Sequence, residues 1–589
     1  IQGRSGTGKT LVLVRRIARR HAQVLETTGG VPSQLYVTKS SLLRDQVACE
    51  LTECLSNTQW PPHGVLCATW EQLVQLRGGR AAVIGYDRFL ESYWPRLRSY
   101  ARSLSPLLVW AEFNTRLRPF KCAVGNGSAL SLRDYLKDDQ AAVGIRLEES
   151  DAHALYFMFR EYTEMKSISE EFDDVDVALA LRASSSQGGE GVEYLYIDEA
   201  QDFAPAELVA MLSLCHNVEG VTVAGDTCQT INPGSAFNFA DIMEAFARLH
   251  PAAHKRASFS MLTLTLNYRC APGVVNLANS VTDLLMQRFP RCADRIEEAT
   301  ASEKGAQPIF VQWPGQDPAT CIIGAGSSTL PKAEAARLTI LVRTHEDRQA
   351  LLKSGVSGTI LTVAEAKGLE FDFVIVCGLL SHLPDSVVCA LADEASSETQ
   401  LAKTHDQGSC QRLAGAAHSL LCRVIFAIPE FKTLYVAITR ARKGSVVLEC
   451  GSRPERWAPL LKLWQNQGLV EVWAGRQGFL KGLNLQQEDA TSKKASEDQA
   501  YLQVQAELAT TEEETAPGSS KAADVELVGA SSSSSPSVAP GAQGEVAEDQ
   551  PTHADVNDDV AVVAAAAATP ADAKTEGGEE GEEEEGSAA

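Results

Sequence analysis

The sequence Gly3-Arg4-Ser5-Gly6-Thr7-Gly8-Lys9-Thr10 runs directly into residues 11–20, LVLVRRIARR. Glycines at this spacing let successive backbone N–H groups point at phosphate oxygens, at the positive end of the helix that follows. In such a loop Lys9 reaches the β- and γ-phosphates and the Thr10 hydroxyl ligates Mg²⁺. The alternative is a glycine-rich turn that matches by chance. The complete match, at the head of a helix, favours a nucleotide-binding loop.

A loop of this kind follows a buried strand, whereas only Ile1 and Gln2 precede it here. We therefore expect most of the first strand, and any segment before it, to lie upstream of Ile1.

The 589 residues carry a net charge of −23, and most of the acidity lies in one segment. Residues 501–589 hold 20 acidic residues and two lysines, which leaves −5 for the rest of the chain. Basic surfaces on a nearly neutral body are compatible with nucleic-acid binding. The 14 cysteines include no C-x-x-C pair, which is typical of an intracellular protein of the nucleus or cytoplasm rather than a secreted one. No apolar run reaches the roughly 18 residues of a membrane span.

Strands that end in polar side chains recur along the chain, each followed by a helical stretch. Residues 34–38 and 64–68 are such strands. Thr38 ends the first and Lys39 follows it, and Thr69 and Trp70 follow the second. In a parallel α/β sheet these side chains project from one edge. Alternatively, Thr38, Lys39 and Thr69 are ordinary loop residues. For Trp70, we favour a position in the hydrophobic core.

Two further strand ends carry candidate catalytic groups. Residues 192–197 end in Asp198 and Glu199, which are placed to hold Mg²⁺ and to polarise an attacking water. Residues 220–224 lead to Gln229, which could sense a γ-phosphate. Farther on, Tyr268 could stack on adenine and Arg269 could contact the γ-phosphate.

Residues 78–187 read as helices with interleaved basic and aromatic side chains and no strand-loop-helix unit. Such a composition suits binding to single-stranded bases and phosphates, and it suits ordinary helix packing equally well. Both interpretations stay open.

The ordered motifs together resemble the UvrD/Rep branch of superfamily-1 helicases, and most of all the helicase region of TPR and ankyrin repeat-containing proteins. The motifs are the loop at residues 3–10, Asp198-Glu-Ala-Gln-Asp202, Gly225-Asp-Thr-Cys-Gln229, Asn267-Tyr-Arg269, Glu365-Ala-Lys-Gly-Leu-Glu370-Phe371 and Tyr435-Val-Ala-Ile-Thr-Arg440-Ala-Arg442.

The resemblance implies ATP and Mg²⁺ as cofactors, bound between two tandem RecA-like P-loop NTPase domains. Nucleotide contacts would come from Gly3, Arg4, Ser5, Gly6, Thr7, Gly8, Lys9, Thr10, Tyr268 and Glu370. Mg²⁺ would be held by Thr10 and Asp198, and the catalytic set would be Glu199, Gln229, Arg269 and Arg440, the last as arginine finger. Single-stranded nucleic acid would run along Thr38, Lys39, Thr69 and Thr362.

The activity implied is an ATP-dependent helicase or translocase on single strands, DNA before RNA, in the 3′-to-5′ sense. Duplex unwinding stays open, because the large second-domain insertion of this branch is absent between Arg269 and Thr362. The family's base-stacking aromatics after Gln229 are replaced by Ile231-Asn232, although Phe237 and Phe239 lie nearby and could substitute for them. The alternative is a nucleotide-switch NTPase module of a larger repeat-containing protein. Protein partners would bind through an upstream region or the acidic tail.

The predicted fold is therefore α/β, with two RecA-like domains, a mainly helical insertion in the first and a disordered acidic tail. The predicted segments are 1–77 and 188–257 for the first domain, 78–187 for the insertion, 258–450 for the second domain with an irregular insert near 381–427, 451–485 for a small helical cap, and 486–589 for the tail.

Overall fold

The structure is a computed structural model, and it describes residues 1–56, 64–79, 84–101, 104–137, 147–185, 191–232, 238–251, 260–290, 292–301, 307–313, 315, 317–326, 338–356, 358–383 and 428–474. All of these belong to one unit, residues 1–517. The predicted tail at 486–589 and nearly all of the predicted insert at 381–427 lie outside the described residues.

The first sheet is parallel and has the strand order β3-β2-β4-β5. Its strands are β2 (Gln34–Thr38), β3 (Val65–Thr69), β4 (Tyr194–Ile197) and β5 (Val221–Val223). A short strand β1 (Gln2–Gly3) lies beside the end of β5 through a parallel bridge between Gln2 and Gly225. The strands predicted from the sequence at these positions are thus present.

Side chains alternate between two cores on the faces of this sheet, as the period of a strand requires. On β2, Leu35 and Val37 pack in one core and Tyr36 packs in the other. On β4, Leu195 and Ile197 share the core of Leu35. Since both faces are buried, the sheet is a central layer between helices.

Helices flank the first sheet and follow its strands. They are α1 (Lys9–Thr28), α2 (Ser41–Ser56), α3 (Trp70–Leu76), α11 (Pro205–Leu212) and α12 (Phe239–Leu249). Trp70 is buried against Phe203, so the prediction that it is a core residue is confirmed.

The described residues between 85 and 185 form helices and contain no named strand. These are α4 (Tyr86–Arg88), a π-helical turn (Phe89–Tyr93), α5 (Trp94–Leu97), α6 (Pro106–Asn114), α7 (Phe120–Val124), α8 (Leu132–Lys137), α9 (Glu149–Ser169) and α10 (Asp174–Ser185). Many of their aromatic side chains, including Phe89, Trp110 and Tyr162, are buried in a core of their own. Ordinary helix packing therefore accounts for those three rings.

The second sheet is also parallel, in the order β11-β10-β12-β13-β9-β14. Its strands are β9 (Ile309–Gln312), β10 (Leu338–Val342), β11 (Thr359–Thr362), β12 (Phe371–Cys377), β13 (Ala441–Glu449) and β14 (Glu471–Ala474). Its helices are α13 (Pro272–Arg288), α14 (Pro318–Gly326), α15 (His345–Lys353), α16 (residues 428–438) and α17 (Ala458–Asn466). The expected α/β class with parallel sheets is confirmed.

Two further sheets have two strands each: β6 (Thr263–Leu264) pairs with β1, and β7 (Leu266–Asn267) pairs with β8 (Thr300–Ala301). One detail differs from the predicted segments. Residues 451–485 were expected to be a helical cap, but β14 continues the second sheet beside β9. A four-residue strand is too short for its periodicity to be read reliably.

No helix among the described residues combines the length and the apolar character needed to cross a membrane.

Candidate functional site

The glycine-rich loop, residues 3–8, joins β1 to α1. Gly6 and Gly8 have φ angles of 81° and 84°, a left-handed conformation that side chains other than glycine's resist. A Cβ on Gly6 would also lie 2.7 Å from the Cβ of Arg269, so the loop can approach residues 267–269 this closely only with glycine there. This local requirement explains the glycine pattern without reference to any ligand.

Lys9 and Thr10 begin α1 and turn their polar atoms toward the loop and β4. Lys9 is buried, and its Nζ donates to the carbonyl oxygens of Gly3 at 2.9 Å and Arg4 at 3.2 Å. The Thr10 hydroxyl donates to Asp198 Oδ2 at 2.8 Å. The structure therefore brings Thr10 and Asp198 together, as the sequence predicts.

Asp198 is fully buried at the end of β4 and is held from two more sides. Its Oδ2 also accepts a hydrogen bond from Tyr36 Oη at 3.0 Å, and its Oδ1 accepts one from the backbone N–H of Glu199. Burial raises the pKa of Asp198, and the negative charge of Glu199 adds to the rise. A cation at this carboxylate would relieve both costs.

Glu199 has a φ of 50°, an unusual backbone conformation for a residue with a Cβ. Its carboxylate accepts a hydrogen bond from Gln201 Nε2. Burial opposes ionisation of Glu199, but the charges of Lys9 and Lys367 outweigh it and lower the pKa. The carboxylate is thus kept ionised, as a general base requires.

Asp226 organises the loop that follows β5. One carboxylate oxygen accepts from Arg4 Nη1 at 3.2 Å, and the other accepts from Tyr435 Oη and from Gln229 Nε2, each at 3.0 Å. Although burial opposes ionisation, the charges of Arg4 and Lys9 lower the pKa of Asp226. Gln229 is thereby oriented, and its Oε1 accepts from Arg440 Nη2 at 3.2 Å.

Arg269 and Arg440 both reach the glycine-rich loop. Arg440 Nη2 donates to Ser5 Oγ at 2.8 Å and Arg269 Nη1 donates to the same oxygen at 3.1 Å. Burial and, next, the charge of Arg269 lower the pKa of Arg440 to about 10, still far above neutrality. Two cations from distant parts of the chain therefore meet at one point of the loop.

Tyr268 and Glu370, expected at the adenine and the ribose, lie beside these arginines. The backbone N–H of Tyr268 donates to the carbonyl of Gly6 at 2.9 Å, and the Tyr268 side chain is partly exposed. Glu370 accepts from Arg269 Nε at 2.7 Å. Its carboxylate is therefore engaged with an arginine in this structure.

The four residues expected to bind nucleic acid do not form one exposed row. Thr38 and Thr69 are buried register partners on β2 and β3, whereas Thr362 is buried at the end of β11 in the other sheet. Thr69 caps α3, and Thr362 accepts from the N–H of Glu365 at 3.3 Å. Lys39 pairs with Glu207 at 2.9 Å.

Phe239 could by its sequence position substitute for a base-stacking aromatic, but it is buried in the core of the first sheet. Its place on the inward face of α12 explains the difference. Phe237 lies outside the described residues.

Several residues of the site had no role assigned from the sequence. Tyr435 Oη accepts from the Ser5 N–H at 2.9 Å, Asn267 Nδ2 donates to the Ser5 carbonyl at 2.7 Å, and Lys367 donates to Asp202 and to the Gln229 carbonyl. All three side chains belong to the recognised motifs. Their motif positions mark them as candidates, but their partners follow only from the packing of the two sheets.

Comparisons with known proteins bear on this arrangement. No family model matches the chain. It is 26% identical over 435 residues to human TPR and ankyrin repeat-containing protein 1, across 68% of this chain and 14% of that protein. It is 23% identical over 301 residues to the ATP-dependent DNA helicase PcrA of Leuconostoc citreum, across 49% of this chain and 38% of the helicase.

The chain therefore spans a small part of the first relative and well under half of the second. The likeness to PcrA supports a distant relationship to helicases. The mixed α/β architecture with parallel sheets is a separate observation from the structure.

Proposed function

We propose that this chain is an ATP-dependent motor of the UvrD/Rep helicase type, which couples hydrolysis to movement along single-stranded nucleic acid. DNA is the preferred track, in the 3′-to-5′ sense, and duplex unwinding is a further activity to be tested. The observation that carries the proposal is the convergence of Arg269 and Arg440 on the glycine-rich loop, beside Lys9, Asp198 and Glu199.

The loop and α1 would hold the nucleotide phosphates, with Lys9 exchanging its carbonyl partners for phosphate oxygens. Thr10 and Asp198 would hold Mg²⁺, because a hydroxyl and a carboxylate 2.8 Å apart offer the hard oxygen ligands that this ion prefers. The ion would neutralise phosphate charge. The raised pKa of Asp198 fits a carboxylate that is more stable beside a cation.

Glu199 would accept a proton from the attacking water. Its ionised state is maintained by Lys9 and Lys367, and its orientation by Gln201. A positioned base of this kind accelerates proton transfer by about 10² to 10⁴-fold.

Arg440 would act as an arginine finger and Arg269 as a second γ-phosphate ligand. Both stabilise transition-state charge only when the residues that carry them lie against the loop. Hydrolysis would then depend on the approach of residues 267–440 to the glycine-rich loop. That dependence couples chemistry to motion, as a stepping motor needs.

We infer that the two parallel sheets belong to two RecA-like domains, since each has helices after its strands and polar residues at its strand ends. The boundaries given above for these domains and for the insertion remain part of this proposal, whereas residues 471–474 of the predicted cap belong to the second sheet.

A second candidate function is a nucleotide-switch module without strand displacement. Two observations favour it: Lys39 is paired with Glu207, and the human relative is a far longer repeat-containing protein.

The first experiment is steady-state ATPase of the purified chain, with and without single-stranded DNA and RNA, beside Glu199→Gln and Arg440→Ala. A motor predicts stimulation by one polymer and a loss of at least about 100-fold in both variants. Hydrolysis that neither polymer stimulates would contradict the motor and favour the switch.

A second assay separates the two functions. Strand displacement from a 3′-tailed duplex would eliminate the switch, whereas translocation without displacement would limit the motor to single strands.

A further inference from the structure

Ser5 is almost completely buried, and each of its polar atoms bonds to a residue distant in sequence. Its Oγ accepts from Arg440 and Arg269, its N–H donates to Tyr435, and its carbonyl accepts from Asn267. All four partners lie between residues 267 and 440. Ser5 is therefore the point at which the loop is held by that part of the chain.

The backbone bonds of Ser5 do not depend on its side chain. An alanine at position 5 would keep the bonds to Tyr435 and Asn267 and would lose those to the two arginines. The specific contribution of the Ser5 hydroxyl is therefore to accept hydrogen bonds from two guanidinium groups at a single oxygen atom.

A hydroxyl oxygen has two acceptor lone pairs, and the two arginines use both. Burial lowers the pKa of Arg440, and repulsion by the like charge of Arg269 lowers it further. Carboxylates offset part of the repulsion, because Glu370 accepts from Arg269 and the charge of Glu199 favours ionised Arg440. Additional negative charge beside the two guanidiniums, near Ser5, would therefore be stabilising.

We propose that the Ser5 hydroxyl is a positioning group, which pairs the Arg269 and Arg440 guanidiniums into a single receptor for the terminal phosphate of the nucleotide. This inference rests on the proposed function and adds a role for a side chain that the phosphate-binding loop itself does not need. The two arginines act as a unit because they share an acceptor. Without that acceptor, Arg440 keeps its bonds to Gln229 and to backbone carbonyls, and Arg269 keeps its bond to Glu370, but no shared atom holds the two guanidiniums together.

The test compares the ATPase kinetics of Ser5→Ala with those of a control variant that loses a different hydroxyl group near Arg440. Thr439 Oγ1 also accepts from Arg440 Nη2, at 3.2 Å, but no hydrogen bond joins it to Arg269 among the described contacts. Thr439→Val therefore removes a neighbouring acceptor from one arginine only. We expect Ser5→Ala to lower kcat for ATP by about tenfold with KM changed less than about threefold, and Thr439→Val to lower kcat by less.

A double-mutant cycle gives the decisive measurement. If Ser5 positions the pair, Arg269→Ala costs less in the Ser5→Ala background than in the unaltered chain. Additive losses, or a Ser5→Ala kcat equal to that of the unaltered chain, overturn the inference. Melting temperatures of the same variants identify a merely structural effect, which would lower stability without coupling the two kcat losses and would also overturn it.

The two proposals fail separately. An unaltered chain without ATPase activity overturns the proposed function and this inference with it. An active chain that is indifferent to Ser5→Ala overturns only the role of Ser5.

Discussion

Tyr435 donates its phenolic proton to Asp226 across 3.0 Å, within a buried region that also contains Arg4 and the loop backbone. The same phenolic oxygen accepts from the Ser5 N–H. One side chain of α16 therefore bonds both to the loop after β5 and to the glycine-rich loop. Tyr435 thus links parts of the chain that belong to different sheets. Because these polar groups are buried, separating them would leave them without hydrogen-bond partners, which is costly.

Tyr435→Phe should lower the free energy of unfolding by about 1–3 kcal/mol, because it leaves a buried N–H and a carboxylate oxygen without this partner. Urea denaturation followed by circular dichroism measures the loss. Tyr194→Phe is the control, since the contact of its ring with Arg20 survives the change. Equal effects of the two substitutions would contradict the importance assigned to the phenolic oxygen.

Lys367→Met should destabilise the chain by about 3 kcal/mol or more and should reduce ATPase activity. Lys367 and Asp202 are about nine-tenths buried, so the substitution leaves Asp202 as a buried charge without its ion-pair partner. Addition of Asp202→Asn should recover part of the stability. Arg248→Ala breaks an exposed pair with Glu244 and should cost less than about 1 kcal/mol.

Comparison of the single and double variants by denaturation tests this prediction. If Asp202→Asn deepens the loss caused by Lys367→Met, the two residues do not act as a buried pair.

Asp173→Asn should destabilise the helical region by about 3–5 kcal/mol near neutral pH. Arg118 bonds both oxygens of Asp173, at 2.9 and 2.8 Å, and Lys166 and Tyr162 also donate to it. Although burial opposes ionisation, the charges of Arg118 and Lys166 hold the pKa of Asp173 below its ordinary value of 3.8.

The stabilisation by ionised Asp173 is therefore complete above the unfolded-state pKa and is lost as the pH falls below it. The difference in unfolding free energy between the unaltered chain and Asp173→Asn should be constant from about pH 7 to about pH 5 and should shrink toward about pH 3. Denaturation at several pH values measures it. A difference that grows on acidification would show that the carboxyl is protonated in the folded chain.

Much of the fold could be predicted from the sequence, because buried parallel strands such as β2 and β4 are continuous apolar runs with polar ends. The same pattern, an apolar strand with a polar residue at its end, indicated that Asp198 would lie near Thr10. By contrast, the shared bond of Arg269 and Arg440 to Ser5 depends on residues more than 250 positions away from it. Local pattern carries no information on such packing.

The predicted nucleic-acid residues show a different reason for divergence. Thr38, Thr69 and Thr362 do stand at strand ends, as expected, but Thr69 and Thr362 use their hydroxyls at the start of the next turn or helix. Hydroxyl residues at such positions serve capping and ligand binding alike, so residue type and position cannot separate the two roles.

The left-handed backbone of Glu199 has an implication for how this chain tolerates change. A residue with a Cβ in that conformation costs on the order of 1 kcal/mol relative to glycine, so folding alone would be served better by glycine at position 199. If variants were selected only for stable folding, glycine would tend to replace glutamate at position 199, and the carboxylate would be lost. Retention of glutamate at this position in natural variants of the chain would therefore report selection for chemistry rather than for stability.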